Sequence, residues 1–316
     1  MNLGAKCVKK MSIRTLILCV VFICFNLTSA AELNSSFKFS NILSVKVDSL
    51  EADIQFISTS SAEIDMHVEE KNASLLTMSP ENGVLTITQS SRPIVPIKLR
   101  ILVPNTCRLD ISVLGKSHVF IPKMNAPLRV TTQDISQVTI GACLGLIATQ
   151  SGFSKVQVND ITGDILVNQS AHSEFGMRNG TIATALMTII DSGHTSVATP
   201  IESLKLTTKG SARVRLGSIT KTFMWTGYAN DKVFVQHLAG VAEVTANYDS
   251  KLTVESADLQ TLLAAASSTG QIKISGSVKN AAFSAKGVSK IIVDKVTGKI
   301  LRKNESNKGT VRILNQ

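Results

Sequence analysis

The stretch "SGFSKVQVNDITG", Ser151–Gly163, recurs in outline as "KGSARVRLGSITK", Lys209–Lys221. Each copy places a turn of small residues before a basic residue, and an alternating apolar segment then leads to a second turn. Alternate side chains of an extended strand point to opposite faces, so the two hydrophobes of each copy share one face. A unit that returns in this way predicts a repeat architecture, and its period decides which one.

An apolar-x-apolar triplet recurs eleven times, and successive triplets begin 17 to 22 residues apart. Their flanking residues are Val119/Ile121, Val138/Ile140, Val156/Val158, Phe175/Met177, Val197/Thr199, Val214/Leu216, Val233/Val235, Leu252/Val254, Ile272/Ile274, Ile291/Val293 and Val311/Ile313. The unit is too short for a pair of helices, and turn residues separate the short apolar segments. The sequence therefore predicts an all-β fold, a single-stranded β-solenoid (parallel β-helix) of about 18–20 residues per coil.

The domain boundaries follow from the regularity of this pattern. Residues 109–314 are predicted to form the regular coils, and residues 31–108 a less regular β-rich N-terminal part that begins the same domain. One coil cannot bury its apolar face alone, but coils stacked at about 4.8 Å build a continuous core. Such a core is thin, which agrees with an aromatic content of only 4%.

Residues 1–30 are predicted to be a secretory signal peptide. Four cations precede the apolar run "TLILCVVFICFNL", and "TSA" ends in the small residues that a signal peptidase requires, so cleavage is expected after Ala30. The alternative is an uncleaved anchor. No later run is long and apolar enough to span a bilayer, so the exported chain is expected to lack a transmembrane span and to reside in the periplasm, at the cell surface or outside the cell.

Two cysteines, Cys107 and Cys143, remain after the leader. They occupy nearly the same phase of the repeat two coils apart, which predicts a separation of roughly 9–10 Å between their Cα atoms. A disulfide tolerates only about 4.4–6.8 Å. Both thiols are therefore predicted to be unbridged and to pack as small hydrophobes.

The sequence resembles a bacterial family of unknown function, the auto-transporter adhesins with a head GIN domain. The segments that carry the resemblance are "ILSVKVDS", "ENGVLTIT", "IKLRILVPNTCRLDIS", "SGFSKVQV", "KGSARVRL" and "TGQIKISG". It covers roughly residues 37–293, although most of the family's Gly-Ser-Gly turns are missing. The resemblance implies a secreted or envelope-bound β-solenoid and supplies no catalytic residue.

Cations recur at two positions of the repeat that share the solvent-facing side, the one just before each triplet and the one in its middle. We call them the basic stripe: Lys155, Arg213, Arg215, Lys232, Lys251, Lys273 and Lys290. The net charge falls from +10 to +6 when the four leader cations are removed. A positive surplus of this size suits a polyanionic partner such as acidic polysaccharide or lipid head groups, and nucleic acid is the least expected partner. The plainer interpretation, which the sequence favours, is a solvated face whose lysines discourage edge association.

No motif for phosphate binding, dinucleotide binding or a nucleophilic serine is found, and the five histidines are scattered. Ser117 and His118 are adjacent but should point to opposite faces of a strand. A polysaccharide lyase or hydrolase would need carboxylates gathered on adjacent coils. The candidate carboxylates occupy different positions within the repeat, so they should not stack, and they are expected to be turn residues: Asp160, Asp164, Asp231 and Asp249. The sequence thus predicts no catalytic residue, cofactor or metal.

Trp225 and Tyr228 could suggest a platform for stacking sugars. Aligning Val214 with Val233 places Trp225 on Leu206, which points the indole inward and leaves Tyr228 as an exposed ring. The prediction is a non-catalytic, adhesin-like solenoid that binds at the cell envelope. The alternatives are a carbohydrate-active enzyme and a purely structural envelope protein.

Overall fold

The computed structural model describes residues 35–315, so the leader predicted for residues 1–30 and its cleavage after Ala30 lie outside the described residues. The described chain is a parallel β-solenoid of about 11 turns with an irregular N-terminal part. The predicted fold class is thereby confirmed. The boundaries at residues 30 and 108 stay predictions.

The irregular N-terminal part consists of β1 (Ser35–Phe39), β2 (Ser44–Leu50), β3 (Ala52–Thr59), β4 (Ile64–Val68), the helical turn α1 (Glu70–Ala73), β5 (Leu76–Glu81), β6 (Val84–Gln89) and β7 (Ile97–Pro104). The regular coils are built from β8 (Arg108–Val113), β9 (His118–Lys123), β10 (Leu128–Thr132), β11 (Gln137–Cys143), β12 (Leu146–Gln150), β13 (Lys155–Gln169), β14 (Glu174–Asp191), β15 (His194–Val197), β16 (Ile201–Gly210), β17 (Arg213–Ala229), β18 (Lys232–Ala246), β19 (Lys251–Ala266), β20 (Gln271–Lys286), β21 (Lys290–Val296), β22 (Ile300–Ser306) and β23 (Thr310–Asn315).

The N-terminal part does not stack its strands in sequence order. Strand β2 pairs in parallel with both β6 and β8, and β3 pairs in parallel with both β7 and β9. The β2–β3 coil therefore lies between the later β6–β7 and β8–β9 coils. Strands β4 and β5 then pair antiparallel with β7 and β6, and β1 adds to β4. These antiparallel strands cover a parallel edge that would otherwise offer unpaired backbone groups to another chain.

The regular coils stack in register, so equivalent residues form a continuous inward column. From one coil to the next this column runs Val119, Val138, Val156, Phe175, Thr195, Val214, Val233, Leu252, Ile272, Ile291 and Val311. Each of these side chains is buried. The predicted inward ladder is confirmed on every coil but the one at Thr195, including the adjacency of Val214 and Val233.

The sequence assignment is wrong at one coil, where the triplet is Thr195–Val197 rather than Val197–Thr199. Thr195 points inward although it is polar, because its hydroxyl donates a hydrogen bond to the side-chain oxygen of buried Gln169. An apolar pattern does not reveal such an inward polar residue. With the correction, successive coils begin 18 to 20 residues apart.

The cysteine prediction is confirmed, because Cys107 and Cys143 are both free and buried. Burial raises the pKa of the Cys107 thiol to about 11 and that of the Cys143 thiol to about 12, since the ionised form is poorly solvated in the core. Both thiols stay protonated at neutral pH and act as small core side chains.

Replacing Thr195 by Val keeps the shape of the side chain but leaves the Gln169 oxygen buried without this donor. An unsatisfied buried acceptor costs about 1–3 kcal/mol, so the free energy of unfolding should fall by that amount. Urea denaturation followed by circular dichroism measures the change. Thr207→Val, on the outward face of β16, is the matched control and should change stability by less than about 0.5 kcal/mol. Equal effects of the two substitutions would contradict the assigned role of Thr195.

His118 joins the N-terminal part to the regular coils, because its Nδ1 lies 3.0 Å from Asp53 Oδ1 across β9 and β3. The hydrogen bond to Asp53 raises the pKa of His118 above the ordinary 6.5, against an opposing effect of burial. Folding therefore favours the protonated ring. The stability that the pair contributes is fully present below the unfolded-state pKa and is lost as the pH rises through the folded-state pKa.

At pH 5.5 the free energy of unfolding of the native protein should exceed that of His118→Gln. We expect this difference to shrink as the pH rises to 8. Both side chains are nearly half exposed, so the effect should stay below about 1 kcal/mol. Denaturant titrations across this pH range measure it, and Asp53→Asn should behave in the same way. Parallel stability profiles for the native protein and both variants would refute the linkage.

Candidate anion-binding surface

The outward side of the first strand segment of each coil carries two columns of side chains. Strand alternation buries the triplet flanks, so the residue before the triplet and the residue in its middle both face solvent, as the burial pattern of β17 shows. We call these the first and second outer columns. All seven residues of the basic stripe lie in one or the other.

Three cations of the first outer column occupy consecutive coils. Arg213 is the register partner of Lys232, and Lys232 is the partner of Lys251. Arg215 stands beside them in the second outer column, two residues along β17 from Arg213. We call Arg213, Arg215, Lys232 and Lys251 the basic cluster. Neighbouring strands lie about 4.8 Å apart, so these charges are concentrated along the solenoid axis.

The basic cluster lines a shallow depression of about 580 Å³. The floor and rim also include Phe234 and Thr253 from the second outer column, and His194 and Ser196 from the preceding coil. In the part of the chain that the structure describes, this lining includes no carboxylate, and no member of the cluster forms an ion pair. The cluster thus presents four cations to solvent that no ion pair among the described residues neutralises.

The remaining cations of the basic stripe lie apart from this cluster. Lys155 forms an ion pair with Glu174, whose carboxylate lies 2.9 Å from the Lys155 Nζ. Lys290 is separated from Lys251 by a coil that carries Gln271 in the first outer column. Lys273 stands in the second outer column beside Thr253. Among the described coils, the first outer column therefore carries cations on consecutive coils only over the three coils of the cluster, and Lys273 continues the stripe onto the next coil in the second outer column.

Arg215 is held in place by an aromatic ring. Its guanidinium carbon lies 5.6 Å from the centroid of Phe234, which is its register partner on the next coil. This cation–π contact is worth roughly 0.5–1 kcal/mol at an exposed site and restricts the long side chain. A guanidinium oriented in advance loses less entropy when it pairs with a planar anionic group.

Like charges on adjacent strands oppose the stability of the coil. Two unit charges about 4 Å apart repel by about 1 kcal/mol in water, and less in salt. An anion that bridges neighbouring cations would replace this repulsion by attraction. The electrostatic energy of the cluster would therefore be lower with a polyanion bound than without one.

The turn that leads into Lys232 depends on a buried carboxylate. Asp231 accepts hydrogen bonds from the backbone N–H groups of Ala212, at 3.1 Å, and Tyr228, at 3.0 Å. Burial raises the pKa of Asp231, and hydrogen bonds from Thr208 and the two backbone groups partly oppose the shift. Equivalent corner positions on other coils hold buried serines such as Ser250. Asp231 thus fixes the point at which the Lys232 side chain leaves the coil.

His194 and Phe234 are parts of this surface that the sequence analysis misses. The sequence analysis finds the five histidines scattered, and the triplet that it assigns at Val197–Thr199 puts Ser196 rather than His194 just before the triplet. With the triplet at Thr195–Val197, His194 falls in the first outer column as the partner of Arg213. An apolar pattern gives no signal for an inward threonine, because the partner that holds Thr195 in the core, Gln169, is distant in sequence.

The other candidates lie where the sequence analysis placed them. Trp225 pairs with Leu206 and is buried, with its Nε1 donating to Thr208 Oγ1 at 3.1 Å, whereas Tyr228 is 41% exposed. Ser117 points inward and donates to the Leu114 carbonyl, on the side of the strand opposite to His118.

The carboxylates that a carbohydrate-active enzyme would need are dispersed. Asp160 has Ala142 and Asn179 as its register partners, and Asp249 accepts a hydrogen bond from the Thr269 hydroxyl. Among residues 35–315 no group of three or more His, Cys, Asp or Glu side chains is placed to hold a metal ion. Over the same range, no helix has the length and apolar character needed to cross a membrane.

The chain matches no protein-family model and no curated protein. Several solved structures are similar to this chain, and three of them are described next. A "putative lipid binding protein" from Parabacteroides distasonis ATCC 8503 is 14% identical with a TM-score of 0.44, over 83% of this chain and 96% of that one. A "putative adhesin" from Parabacteroides merdae ATCC 43184 is 15% identical with a TM-score of 0.40, over 88% and 94%. A "putative adhesin" from Bacteroides fragilis NCTC 9343 is 14% identical with a TM-score of 0.35, over 82% and 96%.

These likenesses are too distant to bear on what the present chain binds. Membership of the head GIN family is not shown by a family model and stays a prediction.

Proposed function

We propose that this protein is a non-catalytic β-solenoid that binds a linear polyanion at the cell envelope through its basic cluster, in the manner of an adhesin. The observation that carries the proposal is the group of four cations that line one depression without a carboxylate among them. The envelope location rests on the predicted leader alone.

An acidic polysaccharide is the favoured ligand. The cations of the first outer column repeat along the solenoid axis, once for each coil, so they suit a ligand whose charges also repeat along a line. Long-range attraction between such a column and a polyanion also raises the rate of encounter. Clustered lipid head groups share the anionic chemistry but form a plane, whereas the cluster is only two columns wide.

Binding is favoured over catalysis by the chemistry of the cluster. Acid–base cleavage of a glycosidic bond uses a pair of carboxyl groups at a defined separation, whereas this depression is lined by four cations, one histidine, two hydroxyl groups, two valines and one phenylalanine. In a purely structural envelope protein, like charges on three adjacent coils would oppose stability with no bound anion to offset the repulsion.

Replacing Arg213, Lys232 and Lys251 together by Gln should weaken binding to heparin, used as a model acidic polysaccharide. Each cation that contacts the polymer contributes about one unit to the slope of log K against log salt concentration, so the slope should flatten by about three units. Isothermal titration calorimetry at several salt concentrations measures both quantities.

The matched control replaces Lys205, Lys209 and Lys286, exposed on the second strand segment of their coils, by Gln. It removes the same net charge and should leave the slope nearly unchanged. Equal weakening in both triple variants would show that only net charge matters, and unchanged binding in the first would reject the site. Co-sedimentation with phosphatidylserine vesicles separates the two sources of anion, since stronger binding to vesicles than to heparin would reject the polysaccharide.

A further inference from the structure

We infer that His194 is a further ligand-binding residue of the basic cluster, and that its protonation makes the binding of the polyanion dependent on pH. This inference rests on the proposed function. His194 is the register partner of Arg213 in the first outer column and lines the same depression. When protonated, it would extend the column of cations from three consecutive coils to four.

The charged groups that face His194 come from the two strands packed against β15. On one side β14 presents Glu174, the register partner of His194, whose carboxylate also pairs with Lys155. On the other side β17 presents Arg213 and, in the second outer column, Arg215. His194 therefore stands between the acidic boundary of the site and its first permanent cation.

Backbone hydrogen bonds hold His194 on both sides, which fixes the point at which its side chain leaves the coil. Its N–H donates to the Ser173 carbonyl at 2.9 Å, and its own carbonyl accepts from the Gln169 amide at 3.4 Å. The adjacent Thr195 is anchored in the core through the same Gln169 side chain. The imidazole itself is exposed.

A bound polyanion and a proton on His194 favour one another. A ligand anion bound beside Arg213, the register partner of His194, would lie next to the His194 ring and attract an imidazolium. By thermodynamic reciprocity, binding takes up a proton and a lower pH tightens binding. Histidine side chains ordinarily change charge between pH 5 and 8, which sets the range.

The experiment compares heparin binding by the native protein at pH 8 and pH 5.5, at one low salt concentration. One added exposed ion pair should tighten binding by about two- to fivefold at pH 5.5. It should also steepen the salt dependence by up to about one unit. His194→Gln should lose this response to pH. His194→Arg carries a permanent charge and should bind at pH 8 as tightly as the native protein does at pH 5.5.

His237→Gln is the matched control, because His237 lies on β18 beyond the corner and outside the depression. It should keep the native response to pH. The role of His194 would be overturned if His194→Gln kept the response to pH. It would also be overturned if the native protein showed no response to pH while the triple Gln variant still lost binding. Either result would leave the proposed function intact. Failure of the native protein to bind heparin at either pH would reject the proposed function itself.

Discussion

The in-register stacking of parallel strands is the constraint on which every other feature of this molecule depends. Backbone hydrogen bonds run between coils, so each coil must follow the same path as its neighbour and must return to the same phase after 18 to 20 residues. A corner of every coil accordingly uses the left-handed backbone region. The residues with positive φ there are Gly115, Asp134, Gly152, Ala171, Asp191, Gly210, Ala229, Tyr248, Ser268, Gly287 and Asn307. Only some are glycine, which shows that the stacked path can impose a conformation that local preference disfavours.

Stacking also decides how polar groups are buried at the corners. Several coils place a serine just before the first outer column, and its hydroxyl donates to the carbonyl three residues earlier, as in Ser136 and Ser250. Asp231 fills the same corner position but accepts from backbone N–H groups instead. The inward Thr195 and Gln169 satisfy one another in a similar way. These hydrogen bonds let a thin core contain polar side chains without the penalty of leaving them unpaired.

The basic cluster is a consequence of the same geometry. A residue type repeated at one phase becomes a column of like side chains at the strand spacing, so a modest number of cations produces a concentrated field. The fold tolerates the resulting repulsion because the backbone ladder and the apolar column beneath Arg213, Lys232 and Lys251 hold the coils together. Elsewhere in the first outer column a neighbouring acid neutralises a cation, as Glu174 does for Lys155.

The amino-acid sequence by itself determined the period, the inward apolar column, the solvent-facing cations and the free cysteines, because alternation and turn chemistry act between residues close together in the chain. Arg213, Lys232 and Lys251 could be placed on consecutive coils from their spacing alone. Only the tertiary structure decided that Lys155 is neutralised, that β2–β3 lies between later coils, and that His194 joins the cluster. These outcomes depend on the phase of one coil against the next. That phase is set by partners distant in sequence, such as Gln169 for Thr195, which no local pattern contains.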